Sequence, residues 1–457
     1  MATFLRQQHW RRAARDLGLL AALFAGPQAP LQAQTAPLLA GAPVVSSAPV
    51  GPVAPTANGA GIAPVDAAAT ATQEEAEDGL RFRCPSAVLP ALSLAVRHYL
   101  ATLDIEAKHY TVTIDHDAGT LRFTLNTPAS DTNTLTLAAR AEFGIVPERY
   151  TLRAKRGVTR TIRTVSAKEI VLALMQHGRR TDFAGDACRV DALREHVGIR
   201  QNIVAWAEDL EWGWPDRRPA RWNRAYWRDG NLRKHRQLAA AINDAFQNPR
   251  QYEIGCYTAT KLVIIQGILD YYTRIEKKPA TARLIEARLL GDKDPLAHLE
   301  PGNMWDFDSR FNPTHDNGKL LRVNYNIASD NFVPGDWSYF LNTDPVSRDK
   351  NGYEGSNPIY LGQNRFVDYY NEHHHSFTFE EKLDDIYQWR HAVFNRQRDR
   401  DNIQPLSSHD YERLSQSPER GGLLTTLRTT PCYFGFEALQ HCATPASAPI
   451  APVAARR

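Results

Sequence analysis

The run Cys256-Tyr-Thr-Ala-Thr-Lys-Leu-Val-Ile-Ile constrains this chain more than any other stretch. Together with Leu262, Val263, Ile264 and Ile265, the following Ile268 and Leu269 make an apolar body too rich for a helix lying on a surface, so the segment is expected at the centre of a core. Cys256 opens that helix. The first turn of a helix carries N–H groups without intrahelical acceptors and the positive end of the macrodipole, so a thiol there is expected to ionise more readily and act as a nucleophile. Gly255 just before it is read as a sharp turn that lets a carbonyl substrate approach, with the N–H groups of Cys256 and its neighbours as an oxyanion hole. A free cysteine is more often a small buried hydrophobe. Its place before a central helix argues for the nucleophile.

Export sharpens this reading. Arg6, Arg11, Arg12 and Arg15 form a basic start, Leu17 to Ala25 a short apolar stretch, and Leu31-Gln32-Ala33 a cleavage site, so residues 1–33 are read as a signal peptide. Arg11-Arg12 raises the twin-arginine route, which the flanking residues fit poorly. The apolar stretch is too short to span a bilayer, and a soluble secreted or periplasmic protein is expected. Of five cysteines, an exported chain should oxidise four in pairs and leave one over. Cys432 with Cys442 and Cys84 with Cys188 is one of three connectivities; it leaves Cys256 free. No Cys-x-x-Cys or His-Glu-x-x-His spacing occurs, so no metal and no cofactor are expected. A net charge of +3 over 457 residues suggests neither nucleic acid nor a membrane surface as a general partner.

The 43% of hydrophobic residues suffices for real cores. Residues 34–76, almost all Ala, Pro, Val, Gly, Thr and Ser, read as a disordered linker, and residues 443–457 as a disordered tail. Residues 77–195 are expected to form a small separate α+β module, a recognition domain or a pro-segment. Within it Val88 to Leu103 is helical, Tyr110 to Ile114 and Leu121 to Leu125 form a hairpin around Asp117-Ala118-Gly119, and Ser166 with Glu169 reads as a capping box. In residues 196–250, helical in tendency, Trp206, Trp212, Trp214, Trp222 and Trp227 lie among arginines that include Arg221, Arg224 and Arg228. Such a set either grips a glycan or anionic polymer or packs into a helical lid, and packing is the preferred reading.

Downstream come Pro334-Gly335-Asp336-Trp337-Ser338-Tyr339-Phe340, a turn feeding a strand, then Tyr353-Glu354-Gly355-Ser356-Asn357-Pro358-Ile359-Tyr360-Leu361-Gly362, then an alternating Arg365 to Tyr370. In this order, after the cysteine helix, these segments resemble the bacterial spore-type protein-glutamine gamma-glutamyltransferases over about residues 250–390. The resemblance implies an α+β fold with a papain-like, NlpC-type core in residues 196–442, a nucleophile helix packed on an antiparallel sheet. It also implies transfer of a glutamine acyl group to a lysine amine of protein substrates through a Cys256 thioester, without calcium; cell-wall material is a second expected partner. The family carries a glutamate before the cysteine, where this chain has Gly255, and a catalytic glutamate in Gly-Glu-Asn, where this chain reads Gly355-Ser356-Asn357. Glu354 shares a face with Ser356 in an extended segment and is the candidate replacement. His373, next to Glu372 at the aligned position, is a second candidate base, set against a solvated turn of three histidines. Asp336 reads as a turn and strand-start residue, and His315 as surface. An NlpC-type peptidoglycan peptidase or amidase is the alternative; a binding protein that kept the fold and lost the base is a third class.

Overall fold

The computed structural model describes residues 78–153, 158–210, 212–215, 219–228, 230–291, 296–297, 299, 321–324, 327–348, 350, 353–367, 369, 376–391, 403–416 and 420–431. The signal peptide, linker, His315, His373, Cys432, Cys442 and the tail lie outside the described residues. The architecture is α+β. Strand β1 (Gly79–Arg83) is followed by helix α1 (Leu89–Thr102), the hairpin β2 (Tyr110–Asp115) and β3 (Thr120–Leu125), a second hairpin β4 (Glu148–Arg153) and β5 (Thr159–Thr164), helix α2 (Ala167–Met175) and β6 (Arg180–Ala184). β1 lies between β3, antiparallel, and β6, parallel, giving the order β2-β3-β1-β6. The alternation in Thr120–Leu125, with Leu121, Phe123 and Leu125 buried, is what turns this sheet's apolar face to α1 and α2.

Ser166 caps α2 as its sequence suggests, its Oγ accepting from the Glu169 amide at 3.1 Å. The reciprocal half of the capping box is absent: Glu148 Oε1 accepts from the Ala167 amide at 2.9 Å, and Glu169 turns inward to accept from the Gln363 amide at 2.6 Å. That contact reaches across 194 residues to a turn in which Gln363 and Asn364 both sit at φ 53°, the two-residue hairpin geometry that suits strand twist.

Helix α3 (Val190–Glu208) runs across residue 195, where the sequence reading ends its module, and packs on α1, α2 and the helix that begins at Cys256. One cluster of buried residues runs from Leu80 through α3 to Tyr369. A disulfide joins Cys84, just after β1, to Cys188, just before α3, across 104 residues. After α3 come the two-residue strands β7 (Trp227–Arg228) and β8 (Asn231–Leu232), paired as a hairpin, and α4 (Leu238–Gln247). Trp206, Trp212, Trp222 and Trp227 are buried: the first two meet Phe246 edge-on, and Trp222 meets Trp227 and Tyr252. These rings pack into the protein, as preferred, while the neighbouring Arg221, Arg224 and Arg228 stay exposed.

Helix α5 (Cys256–Asp270) has every residue from Tyr257 to Leu269 buried, as its composition demands. It crosses α3 closely at Gly267, where a β-carbon would stand 2.4 Å from Ile203 Cγ1. Asn202 Nδ2 donates to the Gly267 carbonyl at 2.7 Å, so the small residue both permits the approach and leaves its carbonyl open to a partner. Helix α6 (Pro279–Gly291) follows.

The rest is mostly strand: β9 (Leu321–Asn324), β10 (Trp337–Leu341), β11 (Gly355–Ser356), β12 (Tyr360–Gly362), β13 (Arg365–Val367), β14 (Ser376–Phe377), helices α7 (Phe379–Gln388) and α8 (Ser408–Leu414), and β15 (Leu424–Pro431). They form one sheet ordered β11-β10-β15-β9 and another ordered β12-β13-β14. The period of two decides where side chains go. Trp337, Ile359, Leu361 and Val367 join the large core with α5, whereas Phe340, Tyr360 and Phe366 join a second core with Phe379, Leu383 and Ile386 of α7. These strands therefore divide two cores, with α5 on one side and α7 on the other. No helix among the described residues is long and apolar enough to cross a membrane.

Candidate active site

Cys256 is the first residue of α5 and the free cysteine among the described residues. Gly255 before it has φ −77° and ψ 163°, an ordinary extended conformation, so the sharp glycine turn expected from the sequence is absent and the helix simply begins there. The half-buried sulfur accepts from Asn357 Nδ2 at 3.4 Å. The amide orientation is fixed from behind: Asn357 Oδ1 accepts from Trp337 Nε1 at 3.2 Å, and Trp337 packs edge-on against Tyr257. Thr260, one turn along α5, closes the arrangement. Its hydroxyl is 2.9 Å from the Cys256 carbonyl, 2.6 Å from the Asn357 carbonyl and 2.7 Å from the Tyr369 hydroxyl. One buried threonine thus ties the nucleophile helix to the segment after β11 and to the chain after β13.

The thiol is held towards its neutral form. Burial pushes its pKa above the ordinary thiol value, outweighing Asn357, whose side-chain and backbone N–H groups lower it, and the nearby charge of Lys382; the charge of Glu354 raises it further. The expectation of a depressed pKa from the helix N-terminus is therefore corrected. A macrodipole at a surface contributes about 0.3–1 kcal/mol, less than one pKa unit, and desolvation of the sulfur exceeds it.

Glu354 directly precedes β11, half-buried, with its carbonyl accepting from the Asn342 amide at 2.9 Å and from Tyr339 Oη at 3.4 Å. Its charge is the smallest of the influences on the Cys256 thiol and raises its pKa. Ser356, two residues on, pairs with Phe340 in the sheet. The third candidate, His373, lies outside the described residues.

Asp336 is more than a turn residue. Fully buried, it is paired bidentately with Arg179, whose Nη2 lies 3.0 Å from Oδ1, and with Arg200 Nη1 at 2.9 Å, and it accepts from the Val333 amide at 2.9 Å. Burial would raise its pKa, but Arg179 and Arg200 prevail and hold it at about 2. Gly335 stands at φ +90° against Arg200, which is why the turn before this aspartate needs a glycine. The cluster docks the Pro334-Gly335-Asp336 turn on α3 and so sets where Trp337, and through it Asn357, points.

Asn357, Trp337, Thr260, Tyr369 and Lys382 are site residues that sequence reasoning did not single out. Asn357 and Trp337 stood in the quoted motifs and were readable as polar partners. Lys382 gave no signal: it sits in α7, buried, 4.6 Å above the Phe377 ring and 3.6 Å from Asp385.

Residues 154–372 match the profile of the protein-glutamine gamma-glutamyltransferase family. No curated protein sequence matches the chain. Among solved structures, a transglutaminase from Geobacillus stearothermophilus without its C-terminal extension is similar at 21% identity, covering 55% of this chain and 97% of that one, with a TM-score of 0.32.

Proposed function

Taking residues 154–372 as a domain of the protein-glutamine gamma-glutamyltransferase family, we propose that this chain is an exported cysteine acyltransferase that forms gamma-glutamyl isopeptide bonds between protein glutamine and lysine side chains. Cys256 attacks the glutamine Cδ, and Glu354 takes the thiol proton as the C–S bond forms. The tetrahedral oxyanion is met by N–H groups of the first turn of α5, which have no intrahelical acceptor. Collapse expels ammonia, which leaves with the proton held by Glu354, and a thioester remains. A lysine amine then attacks the thioester carbonyl, its proton passing to Glu354 and on to the departing Cys256 sulfur. A neutral thiol beside a carboxylate suits this sequence, because the sulfur becomes charged only as the proton moves.

The reading includes a papain-like arrangement, with α5 carrying the nucleophile and the strands around Asn357 carrying its partners. Export rests on the signal-like start and on the Cys84–Cys188 disulfide, a bond that persists in oxidising compartments. Residues 77–195 are read as a recognition domain or a pro-segment.

The observation that carries the proposal is the position of Cys256: an unbridged thiol at the start of a buried helix, held by Asn357 at 3.4 Å inside the family-matched segment. The test is incorporation of a fluorescent primary amine into a glutamine-bearing protein by the mature chain, with Cys256→Ala, Glu354→Gln and His373→Ala. Incorporation lost in Cys256→Ala and in Glu354→Gln but kept in His373→Ala supports the assignment. Loss in His373→Ala with retention in Glu354→Gln moves the base to the histidine. Release of muropeptides from peptidoglycan without amine incorporation would replace the transferase with the hydrolase.

A further inference from the structure

A cleft of about 1280 Å³ is lined by residues between Pro219 and Arg236 and by Glu253. Its described lining is strongly cationic, and its one carboxylate there, Glu253, is paired with Arg221 at 2.9 Å. The cations divide into two groups. Arg221, Arg233 and Arg236 are engaged by the protein: Arg221 also donates to the Arg250 carbonyl at 2.7 Å, Arg233 to the Trp227 carbonyl at 3.5 Å, and Arg236 lies over the Tyr226 ring. Arg224, Arg228 and Lys234 are exposed lining residues and make no ion pair among the described residues.

A second observation points the same way. Trp222 lines the cleft at 8% exposure, and its indole N–H, buried, has no hydrogen-bond acceptor among the described residues. A buried donor left unmatched is costly, and an oxygen reaching it from the cleft would supply the acceptor.

The cleft is also joined to the nucleophile. Glu253 exchanges backbone hydrogen bonds with Arg221 at 3.0 and 2.8 Å, and the Ile254 amide donates to the Gly213 carbonyl at 3.2 Å. Cys256 follows Glu253 by three residues, no more than about 11 Å of extended backbone.

We propose that this cleft is an anion subsite that holds a carboxylate-rich stretch of the protein substrate, with Arg224, Arg228 and Lys234 pairing its carboxylates and Trp222 Nε1 donating to one of them. The carboxylate assignment rests on the transglutaminase reading, since substrates of that reaction are polypeptides and the cleft opens one short segment from the nucleophile. It adds to that reading a preference for glutamines flanked by acidic residues.

The test measures binding apart from turnover. Anisotropy of a labelled oligo-glutamate peptide is read against the full mature chain, beside an oligo-lysine peptide and inorganic polyphosphate. Oligo-glutamate binds, more weakly at high salt, and oligo-lysine does not. The combined variant Arg224→Gln, Arg228→Gln, Lys234→Gln, all exposed positions, weakens oligo-glutamate by roughly tenfold or more. Trp222→Phe, which keeps the ring and removes the N–H, weakens it severalfold. Absent oligo-glutamate binding, or binding unchanged in the combined variant, overturns the proposal. Polyphosphate binding without oligo-glutamate binding also overturns it, in favour of a phosphate polymer. With turnover substrates, the KM ratio between neutral-flanked and acidic-flanked glutamine falls towards one in the combined variant. If the wild type incorporates no amine yet binds oligo-glutamate through these cations, the anion subsite stands and the transferase reading falls.

Discussion

Asp336 and Cys256 are both acids withdrawn from water, and the chain treats them in opposite ways. Asp336 is met by two guanidinium groups, from Arg179 before β6 and Arg200 on α3, and its pKa sits at about 2. Cys256 is met by the Asn357 amide, with the charges of Lys382 and Glu354 acting on it in opposite directions, and burial raises its pKa. The two are linked through Trp337, which follows Asp336 and holds Asn357 against the sulfur. A permanently ionised group makes a fixed hinge pin for the site; a group kept near its neutral form keeps its charge for the reaction. Glu169 falls between them. Burial pushes it up to about 7, against the backbone and side-chain hydrogen bonds of Gln363 and the attraction of Arg365.

The comparison breaks most visibly at Asp336. Asp336→Asn leaves two buried guanidinium groups without their counter-charge and should destabilise the fold by about 3–5 kcal/mol in urea unfolding. A loss under about 1 kcal/mol would show that the cluster does not anchor the turn. The wild type should lose the Asp336 contribution under acid. The pKa is depressed from 3.8 to about 2, so the stabilisation is full above the unfolded value and disappears as pH falls through about 2.

Glu354→Gln separates the carboxylate's two effects. Amine incorporation should fall by about 10²-fold, while alkylation of Cys256 by iodoacetamide at pH 7 becomes faster, because a negative charge that raises the thiol pKa has gone. Slower alkylation would contradict the electrostatics of the site.

Glu169→Gln keeps an oxygen acceptor for Gln363 and removes a buried carboxylate. The folded pKa exceeds the unfolded one, so the native carboxyl contributes stability below 4.5 that is lost as pH rises through about 7. The variant should therefore gain up to about 3 kcal/mol over wild type at pH 8 and nothing at pH 4, measured by thermal unfolding across pH. Lys382→Met removes a charge that favours the thiolate and should slow alkylation of Cys256 severalfold, and it lowers stability as well, because the buried Asp385 at 3.6 Å loses a counter-charge.

What could be read in the sequence follows from the range of the forces involved. Helix α5 was legible because its apolar residues leave no face for water, and the β2–β3 hairpin because period-two alternation flanks a turn. Cys256 was legible from its place at a helix start. The direction of its pKa shift was not, since that depends on how deeply neighbours bury it. The salt links of Asp336 to Arg179 and Arg200 span 157 and 136 residues, and no local pattern announces them. Glu169 shows the limit from the other side: its spacing from Ser166 predicted a capping partner, and tertiary contact with Gln363 took the side chain instead. The Cys84–Cys188 pair was one of three connectivities until the fold brought β1 and the start of α3 together.

That disulfide sets a practical condition on handling the protein. Closing a loop of 104 residues stabilises by about 4.7 kcal/mol in the chain-entropy account, a large share of the net stability of an ordinary domain. Dithiothreitol, the usual safeguard for a reactive sulfur, would here cut the strap between β1 and α3 while leaving the sulfur it is meant to protect unchanged. Purification under air, with a chelator against trace copper in place of reductant, is the regime under which both oxidation states coexist.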